Sequence, residues 1–144
     1  MNQQPMTKEK ETGVGASAQN SCFACGPENP HGLHLRFKTG KTGESFAEWA
    51  PDVFTEGFRG IVHGGIVSTV LDEAMSKAVA AAGFPALTAE LRIRLRRHVV
   101  PGNLLKVRGW INSQTRRLIR TEAAITDSEG AELAHAWASF LTVK

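Results

Sequence analysis

The run from Ile66 to Val79 most limits what this chain can become. Apolar residues recur in pairs four apart, Ile66/Val67, Val70/Leu71, Ala74/Met75 and Ala78/Val79, and so share one helical face. Gly64 and Gly65 open this helix, Gly83 closes it, and Pro85 stands just beyond as a stop. A helix this apolar needs a broad surface to pack on, and everything after residue 86 is patterned like a sheet. One residue breaks the pattern. Asp72 sits two turns in, and burying a carboxylate is costly without partners, so an interior Asp is either paired or functional. Glu73 reads as ordinary surface, because Lys77 four residues on makes the ion pair of an exposed face.

In chain order, residues 1–20 are polar and aperiodic and read as a flexible N-terminal tail; residues 21–144 read as a single domain. A turn-rich stretch from Cys22 to Gly32 leads into alternation of Leu33, Leu35 and Phe37 with His34, Arg36 and Lys38, the pattern of a strand. Further strands are expected at 44–50, 87–99, 104–115, 118–126 and 133–143. In the first of these after the helix, Leu91, Ile93 and Leu95 face one way and Arg92, Arg94 and Arg96 the other. Consecutive strands joined by short turns make an antiparallel sheet, and the single long helix must cover one face of it. The fold class is therefore α+β, with five to six strands.

Composition narrows the function classes. At 144 residues, 42% apolar and 22% charged, the chain can build one core without disulfides or a structural metal. A net charge of +3 suits an anionic ligand but is too mild for a nucleic-acid partner. No signal peptide is legible, and Asp72, Glu73 and Lys77 interrupt the longest apolar run before it could span a membrane. Two cysteines in one short loop do not make an extracellular disulfide framework, so a cytoplasmic protein with no membrane partner is expected. Cys22 and Cys25 with His31 and His34 invite a zinc reading. The spacing is tight and His34 falls on the expected strand, so a Cys-Gly turn packed under the sheet is preferred, and no metal or cofactor is expected. Trp49, Trp110 and Trp137 read as core or interface aromatics, and His98 and His135 have no partner in sequence.

The chemistry centres on the helix start. Gly64 and Gly65 lie where backbone N–H groups lack partners, and glycines there let another group approach closely. Those donors and the positive helix end can hold a developing negative oxygen; the plainer reading is a loop-to-helix transition. Asp72 lies eight residues past Gly64, about 12 Å along the axis, too far for one short side chain to meet an oxygen held at its own helix tip. If both act on one carbonyl, they come from two chains, as in a homodimer with antiparallel facing helices.

Gly60-Ile61-Val62-His63-Gly64-Gly65, followed by Leu71-Asp72-Glu73-Ala74, resembles the hotdog-fold acyl-CoA thioesterases, in particular their PaaI-like, phenylacetate-pathway branch. The resemblance covers roughly residues 22–143 and includes the Cys-x-x-Cys-Gly-x-x-Asn-Pro-x-Gly-Leu opening. It implies a sheet wrapped around one central helix, in a dimer or a dimer of dimers, hydrolysing a coenzyme A thioester without a cofactor. It implies that Gly64 donates its N–H to the thioester carbonyl, that Asp72 of the other subunit is general base or nucleophile, and that His63, the third catalytic candidate, orders the loop and can contact the thioester. Gly65 and Ser76, the latter at a position where relatives carry a water-positioning hydroxyl, would line the substrate. Arg96, Arg97 and Arg116 or Arg117 become candidates for the phosphates of coenzyme A, which forked guanidinium contacts suit. One departure stands out: several members carry Asn six residues before the His, where this chain has Gly57. The rival reading is a non-catalytic acyl-CoA-binding or zinc-binding protein of the same fold. A hydratase is disfavoured, because no His follows Asp72 on the helix.

Overall fold

The computed structural model describes residues 20–40 and 42–143, so all of the expected tail except Asn20 lies outside the described residues. Helix α1 (Gly64–Ala81) forms where the periodicity demands it and buries Val67, Val70, Leu71, Ala74, Met75, Ala78 and Val79. It ends at Gly83, whose φ of +91° is the left-handed conformation that closes helices. Six strands follow the order expected: β1 (Lys38–Gly40) and β2 (Glu44–Trp49) before the helix, then β3 (Ala86–Leu95), β4 (Leu105–Gln114), β5 (Leu118–Thr126) and β6 (Glu132–Thr142). They pair antiparallel throughout in one sheet of order β1-β2-β4-β5-β6-β3.

The inner face of the sheet supplies Val107, Gly109, Ile119, Ala123, Ile125, Ala134, Ala136 and Phe140, all buried against α1. Small residues in this layer let the helix approach closely. The closest approach is at Gly109, where a Cβ would run into the Ala74 carbonyl oxygen. The buried Ser45 hydroxyl donates to that same oxygen at 2.6 Å. One carbonyl in the middle of the helix is thus seated by β2 and β4 together, which fixes how far α1 can slide along the sheet.

Two expectations are corrected. Residues 33–37 are not a strand: the Leu33 and Leu35 N–H groups donate to Phe23 and Ala24 of the preceding loop at 2.8 and 2.9 Å, and His34 takes a φ of +54° that no strand allows. Only Lys38–Gly40 joins the sheet. The strand expected over 87–99 stops at Leu95, because the Arg96 and Arg97 N–H groups both turn onto the Leu133 carbonyl. The alternation from Leu91 to Leu95 holds, yet of these three apolar residues only Ile93 packs on the core. Leu91 is 38% and Leu95 53% exposed. β3 is also the last strand of the sheet, with one edge unpaired.

Candidate active site

The first four N–H groups of a helix have no intrahelical acceptor. In α1 three of the four are served. His63 donates to the Thr55 carbonyl at 2.8 Å and Ile66 to the His63 carbonyl at 2.9 Å, and Gly65 donates to Nδ1 of His63 at 2.8 Å. The Gly64 N–H finds no acceptor among the described residues. His63 is therefore the N-cap, and with Nδ1 accepting, its neutral ring carries the proton on Nε2. Glycine at 65 keeps this cap closed, since a Cβ there would stand 3.0 Å from His63 Nδ1. Gly57 abuts the same residue: a Cβ there would lie 3.2 Å from His63 Cα.

The helix tip opens into a pocket of about 500 Å³ lined by Phe58, Ile61, His63, Gly64, Leu95 and Arg97 among others. Leu95 of β3 forms the wall nearest the tip, with Cδ1 3.1 Å from where a Gly64 Cβ would stand. The lining is largely apolar, includes Arg97, and takes in the unpaired Gly64 N–H at the helix tip. Such a donor, at the positive end of an 18-residue helix, can stabilise an oxygen that gains negative charge.

Asp72 lies two turns along, on the flank of α1 beside β3, where the Thr88 hydroxyl donates to Oδ1 at 2.8 Å. Burial raises its carboxyl above the ordinary value; the Thr88 hydrogen bond pulls it down, and the neighbouring Glu73 charge pushes it up again. A carboxylate so placed is poised to take a proton. The helix is unbroken from Gly64 to Asp72, so the two stay about 12 Å apart along the axis within one chain. Ser76, one turn further, is half-buried on the same flank.

The arginines separate. Arg97 reaches the pocket. Arg96 instead donates from Nε to Glu132 at 2.9 Å. Arg117 caps the far end of the sheet, its carbonyl accepting from Thr142 N–H at 3.0 Å; Thr142 pairs with Ala86, at the opposite end of β3 from Leu95. Arg116 sits beside it, its carbonyl accepting from the Thr142 hydroxyl at 3.2 Å. His98, without a partner in sequence, also lines the pocket.

Glu73 is the residue whose reading changes most. Its pair with Lys77 exists, at 3.8 Å, but the Glu73 side chain is only 14% exposed. The N-terminal loop lies over it, with Cys22 Sγ 3.9 Å from Oε1. Burial first, then Glu73, pushes the Cys25 thiol up to about 12. The cysteine turn thus packs on the helix rather than under the sheet. Neither histidine of the loop joins it: His31 is exposed, and His34 Nε2 is engaged with the Asn29 carbonyl at 2.6 Å.

His135 also acquires partners that the sequence hid. On the outer face of the sheet its ring nitrogens meet Glu122 at 2.7 Å and Glu132 at 3.1 Å, between Trp110 and Trp137. Of the three tryptophans, Trp49 alone is core.

Sequence reasoning missed Thr88 as the partner of Asp72. A bulge between Thr88 and Glu90 inserts one extra residue, so that Thr88 pairs with the inward Phe140 and Glu90 with the outward Ser139. Counting back from Leu91 by twos gives the wrong face, and nothing in the residue types marks the bulge.

No curated protein matches the chain. A thioesterase superfamily protein of solved structure superposes with a TM-score of 0.82 at 24% identity over 88% of this chain; the match spans 63% of that protein's length. A hypothetical thioesterase from Streptococcus pneumoniae, solved with coenzyme A, superposes with a TM-score of 0.72 at 18% identity, covering 76% of this chain and 85% of that one. The E. coli PaaI protein from the phenylacetic acid degradation operon gives 0.71 at 16% identity, covering 76% and 83%. These likenesses establish the hotdog fold. Among the described residues no helix is long and apolar enough to cross a membrane. The family model of the thioesterase superfamily matches residues 59–134, more than half the chain and the whole of the pocket-bearing helix, and the chain belongs to that superfamily.

Proposed function

We propose that this protein hydrolyses acyl-CoA thioesters in a site shared between two copies of the chain. The Gly64 N–H holds the oxyanion, and Asp72 of the second copy activates water as general base or attacks as nucleophile. The observation that carries this reading is the Gly64 amide: it is the one first-turn donor left without an acceptor, and it ends an apolar pocket. His63 holds that tip in shape by capping Gly65, and Gly65 gives the acyl group room to approach. Ser76 on the Asp72 flank is suited to position the attacking water.

The requirement for a second copy follows from the helix rise, and two features support it. β3 has an unpaired edge, and Leu91 and Leu95 are exposed beside it. Antiparallel pairing of two β3 edges would bring each Asp72 toward the partner's helix tip. It would also bring the far-end Arg116 and Arg117 of one copy toward Arg97 of the other, a cluster suited to the phosphates of coenzyme A. A dimer of dimers could then form through the outer sheet face. The Streptococcus pneumoniae relative solved with coenzyme A supports this substrate class. The reaction as written uses only protein groups and water, at a site within a soluble, cytoplasmic protein.

The test is a panel of acyl-CoA esters with detection of the released thiol. Turnover of one or more esters, lost in Asp72→Asn, supports the reading; tight binding without turnover would leave the non-catalytic alternative.

A further inference from the structure

The geometry points to a zinc site formed by Cys22, Cys25 and Glu73, on the flank of α1 away from the pocket. Cys22 Sγ, Cys25 Sγ and a Glu73 carboxylate oxygen all lie within 4.8 Å of one another, although the loop and the helix are 51 residues apart at the Cys22–Glu73 contact. A tetrahedral zinc with bonds of about 2.3 Å to sulfur and about 2.1 Å to oxygen sets its donors about 3.5–3.8 Å apart. The triad closes onto such an ion by side-chain rotations of about an ångström.

The loop is built before any ion arrives. Gly26 N–H donates to the Cys22 carbonyl at 2.8 Å, and Cys22 N–H donates to Asn20 Oδ1 at 2.8 Å. Leu33 and Leu35 pin the intervening residues to the chain that follows. Any Cβ at Gly26 would collide with the Cys22 and Asn20 backbone, so glycine here serves close approach. Both sulfurs are therefore presented on one side of a fixed turn, and the ordering entropy of the site is largely met by the fold.

The carboxylate supplies the second argument. Glu73 is mostly enclosed, yet its neighbours satisfy it poorly: thiols are weak donors, and the Lys77 ammonium stands at 3.8 Å, beyond hydrogen-bond range. An enclosed carboxylate beside two thiols is a donor set that a divalent cation completes. Sulfur selects zinc over magnesium or calcium. Binding releases the two thiol protons to solvent and leaves a centre of net charge −1, made of the zinc ion, two thiolates, one carboxylate and a fourth position for water. The ion would tie the N-terminal loop to the middle of α1, about 100° around the helix from Asp72.

The experiment uses the full chain purified under reducing conditions. Zinc per chain is measured by elemental analysis, and the chelator-stripped protein is titrated with cobalt(II), whose thiolate charge-transfer absorption reports sulfur ligation. The expected result is about one zinc per chain, a cobalt band, and affinity at least about tenfold weaker in Glu73→Gln. Cys22→Ser and Cys25→Ser should lose the band, whereas His31→Ala and His34→Ala should keep both metal and band. Circular dichroism shows whether each variant folds, and the wild-type titration stands whatever the cysteine variants do. Zinc below about 0.1 per chain with no cobalt band would overturn the assignment. So would loss of metal in His34→Ala.

Discussion

The Thr88 hydroxyl donates to Asp72 Oδ1 at 2.8 Å, across the gap between the edge strand and the central helix. It is the stabilising contact on a carboxyl that burial and the Glu73 charge otherwise drive upward. Thr88→Val keeps the shape and removes the donor, so the Asp72 carboxyl should rise further. The acid limb of kcat/KM against pH should then move to higher pH, with little change on the alkaline side. An unmoved limb would mean that Asp72 is not the group whose ionisation controls turnover.

The same shift has a consequence for stability. The folded Asp72 carboxyl lies above its unfolded value near 3.8, so the folded state holds the proton more tightly. Stability contributed by the protonated form is therefore present below that value and is lost as pH rises through the folded one. Asp72→Asn cannot ionise. Denaturant titrations at several pH values should show the variant gaining on wild type as pH increases through this window and then levelling off. Its turnover at neutral pH should fall at least about 100-fold. A gap that is constant in pH would contradict the assigned shift.

Gly109 is where the sheet admits the helix. Gly109→Ala should cost about 1–3 kcal/mol, because backbone atoms of Ala74 and Met75, rather than a flexible side-chain end, face the new methyl. Ser45→Ala, which removes one donor from a carbonyl that α1 also uses, should cost about 1 kcal/mol. Chemical denaturation measures both, and an unchanged midpoint for Gly109→Ala would show that the helix is less firmly seated than described.

Arg97 is the arginine at the pocket, whereas Arg96 is held by Glu132. Arg97→Ala should raise KM for coenzyme A esters several-fold while sparing small thioesters that carry no phosphate. Arg96→Ala should separate from it by a smaller effect. Equal effects on both substrate types would argue against a phosphate contact at Arg97.

The central helix and sheet were legible because they obey short-range rules. Pairs of apolar residues four apart dictate α1, and period-two alternation gives β4 to β6 to within about a residue. What escaped depends on long-range contacts. Leu33, Leu35 and Phe37 alternate as a strand would, yet the Leu33 and Leu35 N–H groups donate to the cysteine loop. Glu73 and Lys77 look like a solvated pair until that loop folds over one of them. Thr88 faces Asp72 only because a bulge resets the count. Gly64 and Asp72 were singled out by residue type and spacing, but the free amide and the Thr88 contact are facts of the fold.

Mixed dimers test most directly whether Gly64 and Asp72 cooperate across chains. Gly64→Pro deletes the amide proton at the first helical position, where proline is favoured, and His63 already has the extended ψ of 133° that precedes proline. Gly64→Pro and Asp72→Asn should each be inactive alone. Refolded or co-expressed together at equal amounts, half the dimers are mixed and one site in each is whole, so activity should return to about a quarter of wild type. Two inactive variants that stay inactive when mixed, despite forming mixed dimers, would contradict the shared site, as would full activity in either variant alone.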